Sequence, residues 1–231
     1  MSKFVGTIKR AFLKTFYLPF IYGKNKDYDA KKYWHDRFVK YEDSIVGPGS
    51  EALSQEENNK MYEDARQVFL KVCDQQNIDF KKNKICEIGL GNGFYTEIFN
   101  SLGTKNYCGY DIADVLIPKL SNRFPHFNFK LKDISTEPLD ENFDFITLID
   151  VIQHIVNEDK FNFALKNIAQ HLNFGGTFFI GPLTTYSKKV LFYAHGWSIE
   201  KVRTVFKEPE FSISEAIDFR NYFAHVIKKI S

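Results

Sequence analysis

Cysteine is scarce in this 231-residue chain: Cys73, Cys86 and Cys108 are the only three. They form no C-x-x-C pair and no Cys/His ligand spacing, which excludes a zinc module and a disulfide framework and fits a reducing, cytoplasmic setting. No metal site is expected. Long apolar runs are also missing. The stretch that most resembles a targeting signal, AFLKTFYLPFIYG (Ala11–Gly23), is interrupted by Lys14 and Pro19, lacks a small-residue cleavage site after it, and is too short to span a bilayer. There are no internal repeats and no low-complexity segments. What is abundant is phenylalanine, used 24 times, within an ordinary globular balance of 44% hydrophobic and 26% charged residues. A chain of this length buries a core without covalent staples.

Charge is unevenly spread. The first 26 residues carry Lys3, Lys9, Arg10, Lys14, Lys24 and Lys26 and no acid, while the remainder is net acidic at −4, so that the chain totals +2. An acidic body has no footprint for nucleic acid, which needs a basic surface, and no nucleic-acid partner is expected. Phe4, Val5, Ile8, Phe12 and Phe16 recur at helical spacing between those basic residues. Two readings stand: a basic helix resting on an anionic membrane or forming a lid, and a helix packing its Phe stripe on the domain.

After the polar link at 23–29, helices are predicted over Ala30–Tyr41 and Ser54–Gln76, the second opening on the capping-box pair Ser54 and Glu57. A Gly/Pro turn, VGPGS, lies between them. After Lys84 the texture changes to short apolar runs alternating with helical stretches: KICEIG, NYCGYD, FNFKLK, FDFITLID and GTFFIG. That alternation predicts a mostly parallel sheet with helices on both faces. SIEKVRTVF reads as a helix. FSISEAIDF and RNYFAHVIKK follow too closely for a parallel return, so the sheet should finish on an antiparallel strand.

The chemistry is concentrated in KICEIGLGNGFYTEIF (Lys84–Phe99). A buried strand ends in Glu87-Ile-Gly89-Leu-Gly91-Asn-Gly93 and a helix begins. Glycines at such a bend let the backbone approach a ligand closely. A dinucleotide fingerprint, G-x-G-x-x-G, would need its third glycine at residue 94, which is Phe. The spacing is instead G-x-G-x-G with an acid two residues before it, a pattern suited to a cationic ligand and not to a pyrophosphate.

These residues resemble the class I S-adenosylmethionine-dependent methyltransferases, whose first motif is E/D-x-G-x-G-x-G. Four further segments fall in that family's order: YCGYDI with Asp111 and Ile112, FKLKDIS with Asp133 and Ile134, FDFITLIDVIQHI with Asp150, and LNFGGTFFIGP. The resemblance covers about residues 84–230. It implies a Rossmann-like, seven-stranded, mostly parallel α/β sheet over 81–231, with residues 1–80 as an N-terminal helical lid. It also implies S-adenosylmethionine as cofactor, held by Glu87, Gly89, Gly91, Gly93, Asp111, Ile112, Asp133, Ile134 and Asp150. Asp111 would receive the ribose hydroxyls, Asp133 and Ile134 the adenine, and Asp150 the methionine end, with Tyr33 and Trp34 closing over it.

Each assignment has a plainer alternative. Glu87 could cap the turn and Asp111 could cap the helix after it. Tyr33 and Trp34 could be ordinary core, and His154 a packed histidine and not a general base acting with Asp150. His195, in FYAHGW, falls in the loop Leu183–Trp197 expected to wall the acceptor pocket.

The segment IDVIQ at the fourth strand departs from the D/N-P-P-Y/F of nucleobase amine methylators, and no cysteine lies near it. D-V-I-Q-H-I looks most like small-molecule methyltransferases. W-x-x-R-F (Trp34–Phe38) with GPGS (Gly47–Ser50) is similar to enzymes acting on sugars and secondary metabolites. The expected acceptor is therefore a hydroxyl of such a small molecule. A non-catalytic cofactor-binding partner subunit and an enzyme acting on a membrane- or lipid-linked acceptor are the alternatives.

Overall fold

The structure is a computed structural model and describes residues 12–24 and 28–231. The predicted helical start at Phe4, Val5 and Ile8 lies outside those residues, as does the 25–27 part of the polar link. A π-helical turn, Leu13–Tyr17, runs into α1 (Leu18–Tyr22). Helix α2 (Ala30–Tyr41) starts at Asp29, whose carboxylate accepts the Lys32 amide. Helix α3 (Gln55–Gln75) opens on the expected capping box: Ser54 Oγ accepts the Glu57 amide at 3.1 Å, and the Glu57 carboxylate accepts the Ser54 amide at 2.7 Å. Such a cap satisfies amides that have no partner within the helix and contributes about 1 kcal/mol.

From Lys84 onward strands and helices alternate as β1 (Lys84–Ile88), α4 (Phe94–Ser101), β2 (Asn106–Asp111), α5 (Leu116–Arg123), β3 (Asn128–Leu131), β4 (Phe143–Ile149), α6 (Glu158–His171) and β5 (Leu172–Leu183). These five strands are parallel in the order β3-β2-β1-β4-β5. The direction of winding reverses between β1 and β4, which opens a crevice at their C-terminal ends, the place where ligands bind in sheets of this kind.

A hairpin of β6 (Lys188–Leu191) and β7 (Ala194–Gly196), helix α7 (Ile199–Arg203), β8 (Phe211–Ile213), β9 (Ile217–Phe219) and β10 (Tyr222–Lys229) complete the chain. Strand β10 is antiparallel to β5, β8 and β9 alike, so it alone runs against the sheet. The sheet has eight strands and not seven because FSISEAIDF is divided. Ile213 pairs with Ile227 but Ile217 pairs with Ala224, which leaves one extra residue on that edge, a bulge. Ser214 fills the break, its Oγ accepting the Val226 amide at 3.0 Å. The helix read over SIEKVRTVF keeps only five residues.

Side chains alternate across the sheet. Ile85, Phe145 and Phe179 face one layer of core with α3, α4 and α5; Cys86, Ile146 and Phe178 face the other with α6. Phe69 of α3 is fully buried against Phe145 and Phe179. Helix α3 therefore shares one core with the sheet, while α2 and the turn after it lie over the crevice.

Candidate cofactor and acceptor cavity

The cavity at the crevice is built from four loop segments and a helical cover. The β1–α4 bend contributes Gly89 and Gly91, both with left-handed backbone (φ +85 and +54). A Cβ on Gly89 would stand 2.0 Å from Val151 Cγ2, so only glycine lets this bend pass against the segment that follows β4. Opposite, Pro48 of the GPGS turn lines the cavity. That turn is held by Arg37, which donates to the carbonyls of Gly47 (2.6 Å), Gly49 (3.0 Å) and Val46 (3.1 Å). The two short motifs W-x-x-R-F and GPGS are thus one unit, in which Arg37 fixes the turn while Trp34 faces the cavity.

Asp111, at the end of β2, is buried and lines the cavity beside Ile112. Its two oxygens accept the amides of Leu90 and Ala113, each at 2.8 Å. Burial pushes its carboxyl up, while the surrounding backbone amides favour the charged form. Each oxygen keeps a lone pair for a ligand hydroxyl. After β3, Lys132, Asp133 and Ile134 also line the cavity. Asp133 Oδ1 accepts the Ser135 amide at 2.9 Å, and Lys160 stands 3.9 Å from its other oxygen. The buried Asn167 of α6 secures this loop, donating to the carbonyls of Ile134 (3.0 Å) and Glu137 (2.8 Å) and accepting the Leu139 amide at 2.9 Å.

Asp150 closes β4 and lines the cavity with Tyr62 and Tyr95. Its Oδ2 accepts Nη1 of Arg220, whose guanidinium lies 4.1 Å from the centre of the Tyr62 ring. Burial raises the Asp150 carboxyl, and Arg220 opposes that shift. Among the described residues, Arg220 Nε and Nη2 have no hydrogen-bond partner, nor has the hydroxyl of Tyr95.

His154 ends the 3₁₀ turn Ile152–His154 and faces the cavity. Its Nδ1 lies 2.9 Å from the carbonyl oxygen of Tyr193, and its ring meets Trp34 edge-on with centroids 4.7 Å apart. Because a carbonyl only accepts, Nδ1 carries the proton and Nε2 presents a lone pair. Burial pushes the imidazole down to about 4, so it is neutral at physiological pH.

Three residues expected at the cofactor stand behind the cavity wall. Glu87 is buried on the other side of β1, where it accepts hydrogen bonds from Thr96 Oγ1 (2.9 Å) and the Tyr107 hydroxyl. Burial pushes its carboxyl up to about 8, so it is a neutral acid that ties β1 to α4 and β2. Gly93 meets packing and not the cavity, since a Cβ there would lie 2.7 Å from Leu120 Cδ2. Tyr33 is stacked on Tyr193 at 4.9 Å within a cluster that includes Tyr28 and Phe192. The loop Leu183–Trp197 likewise does not line the main cavity. Its Phe192 and Tyr193 back that cluster, and His195 lines a neighbouring cleft, stacked on Trp197.

Sequence reasoning missed Arg220, Tyr62, Tyr95 and Lys160. None of them left a trace: the R-N pair at the turn between β9 and β10 is not among the glycine-containing pairs that mark such hairpins. Among the described residues no cluster of His, Cys, Asp or Glu is arranged to hold a metal ion. Among them, too, no helix is long and apolar enough to cross a membrane.

Fold and cavity together define a mostly parallel α/β domain with a ligand-sized crevice at a glycine bend. A family model described as a methyltransferase domain matches residues 54–212, more than half of the chain. The chain belongs to this family and is an S-adenosylmethionine-dependent methyltransferase.

Among solved structures it is similar to magnesium protoporphyrin IX methyltransferase from Synechocystis PCC 6803 with bound S-adenosylmethionine. That match has a TM-score of 0.63 and 16% identity, and covers 88% of this chain and 97% of the other. It is similar also to the N-methyltransferase NodS of Bradyrhizobium japonicum WM9 in complex with S-adenosyl-L-homocysteine, with a TM-score of 0.59, 16% identity, and 83% and 96% covered. A third is an amino pentose methyltransferase, CalS10, from Micromonospora echinaspora, with a TM-score of 0.58, 14% identity, and 77% and 97% covered. No curated protein matches the chain in sequence.

Proposed function

We propose that this enzyme methylates a hydroxyl of a small acceptor, a sugar or secondary metabolite, seated between α2 and the turn bearing His154. The observation that carries this reading is the neutral His154. Its Nδ1–H is committed to the Tyr193 carbonyl, and its Nε2 is left to accept a proton inside an aromatic chamber.

S-adenosylmethionine, when bound, supplies a methyl group already activated by a positively charged sulfur. The protein's work is then mainly alignment, which can be worth several powers of ten in rate. In this reading Asp111 receives the ribose hydroxyls beside Ile112, and Asp133 and Ile134 border the adenine. Gly89 and Gly91 let the backbone close on the ligand. The carboxylate of Asp150 and the rings of Trp34, Tyr62 and Tyr95 face its cationic end, where aromatic faces favour positive charge. Glu87, Gly93 and Tyr33 act through packing.

In this reading the segment between Tyr28 and Tyr62 covers the cavity, with Tyr28, Trp34, Phe38, Pro48 and Tyr62 as its wall. His154 Nε2 accepts the acceptor's O–H. A weak base suffices, because the hydroxyl proton becomes strongly acidic as its oxygen takes on the methyl group. A cytoplasmic setting belongs to this reading, in keeping with three cysteines that form no disulfide-framework spacing in the sequence.

A panel of polyhydroxylated acceptors, each with an amino counterpart, tests the proposal through release of S-adenosylhomocysteine. Turnover is expected with the hydroxyl compounds. Turnover confined to the amines would overturn the choice of acceptor atom.

A further inference from the structure

The segment from Phe12 to Tyr22 has two unlike faces. Inward, Lys14 Nζ donates to the Tyr193 hydroxyl at 2.9 Å and pairs with Glu51 at 3.5 Å. Leu18 and Tyr22 pack on the cluster of Tyr28, Tyr33, Phe192 and Tyr193, and the Tyr22 hydroxyl donates to Asp36 at 2.9 Å. The segment is therefore docked on the body.

Outward, Phe12, Phe16, Tyr17 and Phe20 are 61%, 65%, 53% and 89% exposed. The Phe12 and Phe16 rings touch, their centroids 5.2 Å apart. A single exposed aromatic is ordinary, but four within nine residues form a patch that needs an occupant.

Charge selects among the occupants. The first 26 residues hold six cations and no anion, on a chain whose remainder is net acidic; Lys14 is turned inward, and the other five flank the patch in sequence. A second copy of the chain would set these cations against one another across a two-fold interface. An anionic lipid surface satisfies both features. Aromatic side chains settle at headgroup depth, and flanking Lys and Arg are drawn to the negative surface. No helix among the described residues is long and apolar enough to cross a bilayer.

We propose that residues 12–22, with the basic residues around them, seat the protein on an anionic membrane surface, with Phe12, Phe16 and Phe20 entering the headgroup layer. The inner face of the same segment covers the aromatic cluster that adjoins Trp34 and His154. Docking therefore holds the acceptor side of the cavity close to the lipid. The proposal stands on this surface alone and is independent of the choice of acceptor.

Co-sedimentation of the full chain with vesicles tests it, using phosphatidylcholine alone and phosphatidylcholine mixed with phosphatidylserine. The wild type should pellet with the anionic vesicles, stay in the supernatant with the neutral ones, and be released as salt is raised. A variant carrying Phe12→Ser, Phe16→Ser and Phe20→Ser should lose partition by about tenfold or more while still binding S-adenosylhomocysteine, which shows that it is folded. The proposal is overturned if the wild type ignores anionic vesicles, or if the folded triple variant pellets equally well. It is also overturned if light scattering shows a dimer that the variant abolishes, because the patch would then belong to a second copy of the chain.

Discussion

Asp150 and Arg220, 70 residues apart in sequence, are joined by a carboxylate–guanidinium bond, and both have left-handed backbone, with φ of 59 and 52. Neither is glycine, and a non-glycine residue in that region is strained. Asp150 sits where β4 leaves the sheet, and Arg220 with Asn221 (φ 63) forms the two-residue turn between β9 and β10. The ion pair thus ties the reversed strand to the cavity wall. Burial favours the neutral acid at Asp150, and the Arg220 guanidinium opposes that shift.

Breaking this pair from one side should be costly. Arg220→Met leaves a buried carboxylate without its counter-ion and should destabilise the fold by about 3 kcal/mol, the low end for a broken buried pair because Asp150 keeps some exposure. Adding Asp150→Asn should recover part of that loss. Urea unfolding of the wild type, both single variants and the double variant measures the coupling, and strictly additive losses would show that the pair contributes nothing.

Glu87 makes stability depend on pH in an unusual direction. It ionises near 4.5 when unfolded and near 8 when folded. Between those values unfolding releases a proton, so rising pH favours the unfolded chain. Glu87→Gln keeps acceptor and donor atoms for Thr96 and Tyr107, and should flatten this slope and raise the melting temperature at alkaline pH. Because the side chain lies behind the wall, affinity for S-adenosylhomocysteine should not change. Thermal scans across the pH range, with calorimetry of the ligand, check both statements.

His154 behaves oppositely. It titrates near 6.5 unfolded and near 4 folded, so unfolding takes up a proton in that interval and stability falls as pH falls. The acid limb of kcat should accordingly lie near 4 and not near 6.5. His154→Ala should lower kcat by roughly 10²- to 10⁴-fold with cofactor affinity preserved. An unchanged kcat would leave the histidine a packing role only.

Asp111→Asn tests the ribose assignment. The amide replaces one charged acceptor with a donor and a neutral acceptor. Each lost charge-assisted hydrogen bond is worth about 1.5 kcal/mol, or roughly tenfold in affinity. Calorimetry should show binding of S-adenosylhomocysteine weakened by that factor or more, with circular dichroism unchanged.

Much of the fold is legible locally. Ser54 and Glu57 sit three residues apart and make the capping box at the start of α3, a contact within a single helical turn. The alternation in FDFITLID becomes Phe145 on one face and Ile146 on the other. The brevity of the connection before Tyr222 forces an antiparallel return. The division of FSISEAIDF was not legible, because the bulge at Ser214 depends on the register of β10 and not on its own residues.

The site was legible in part. Gly89, Gly91, Asp111, Asp133, Ile134 and Asp150 end strands at the crevice, and their positions follow from chain order. Which way Glu87 points does not follow from chain order. Successive side chains of a strand face opposite sides, and a motif names the residue without naming the face.

The sequence by itself determined the class of fold, the glycine bend at the crevice and the reversed final strand, because each arises from contacts between near neighbours or from the reach of a short connection. Only the tertiary structure decided that Arg220 reaches Asp150 and that His154 is held by the Tyr193 carbonyl, 39 residues away. It alone also decided that Glu87 is sealed behind the sheet as a neutral acid. Those outcomes depend on which surfaces meet and how much water they exclude, quantities that no stretch of chain carries on its own.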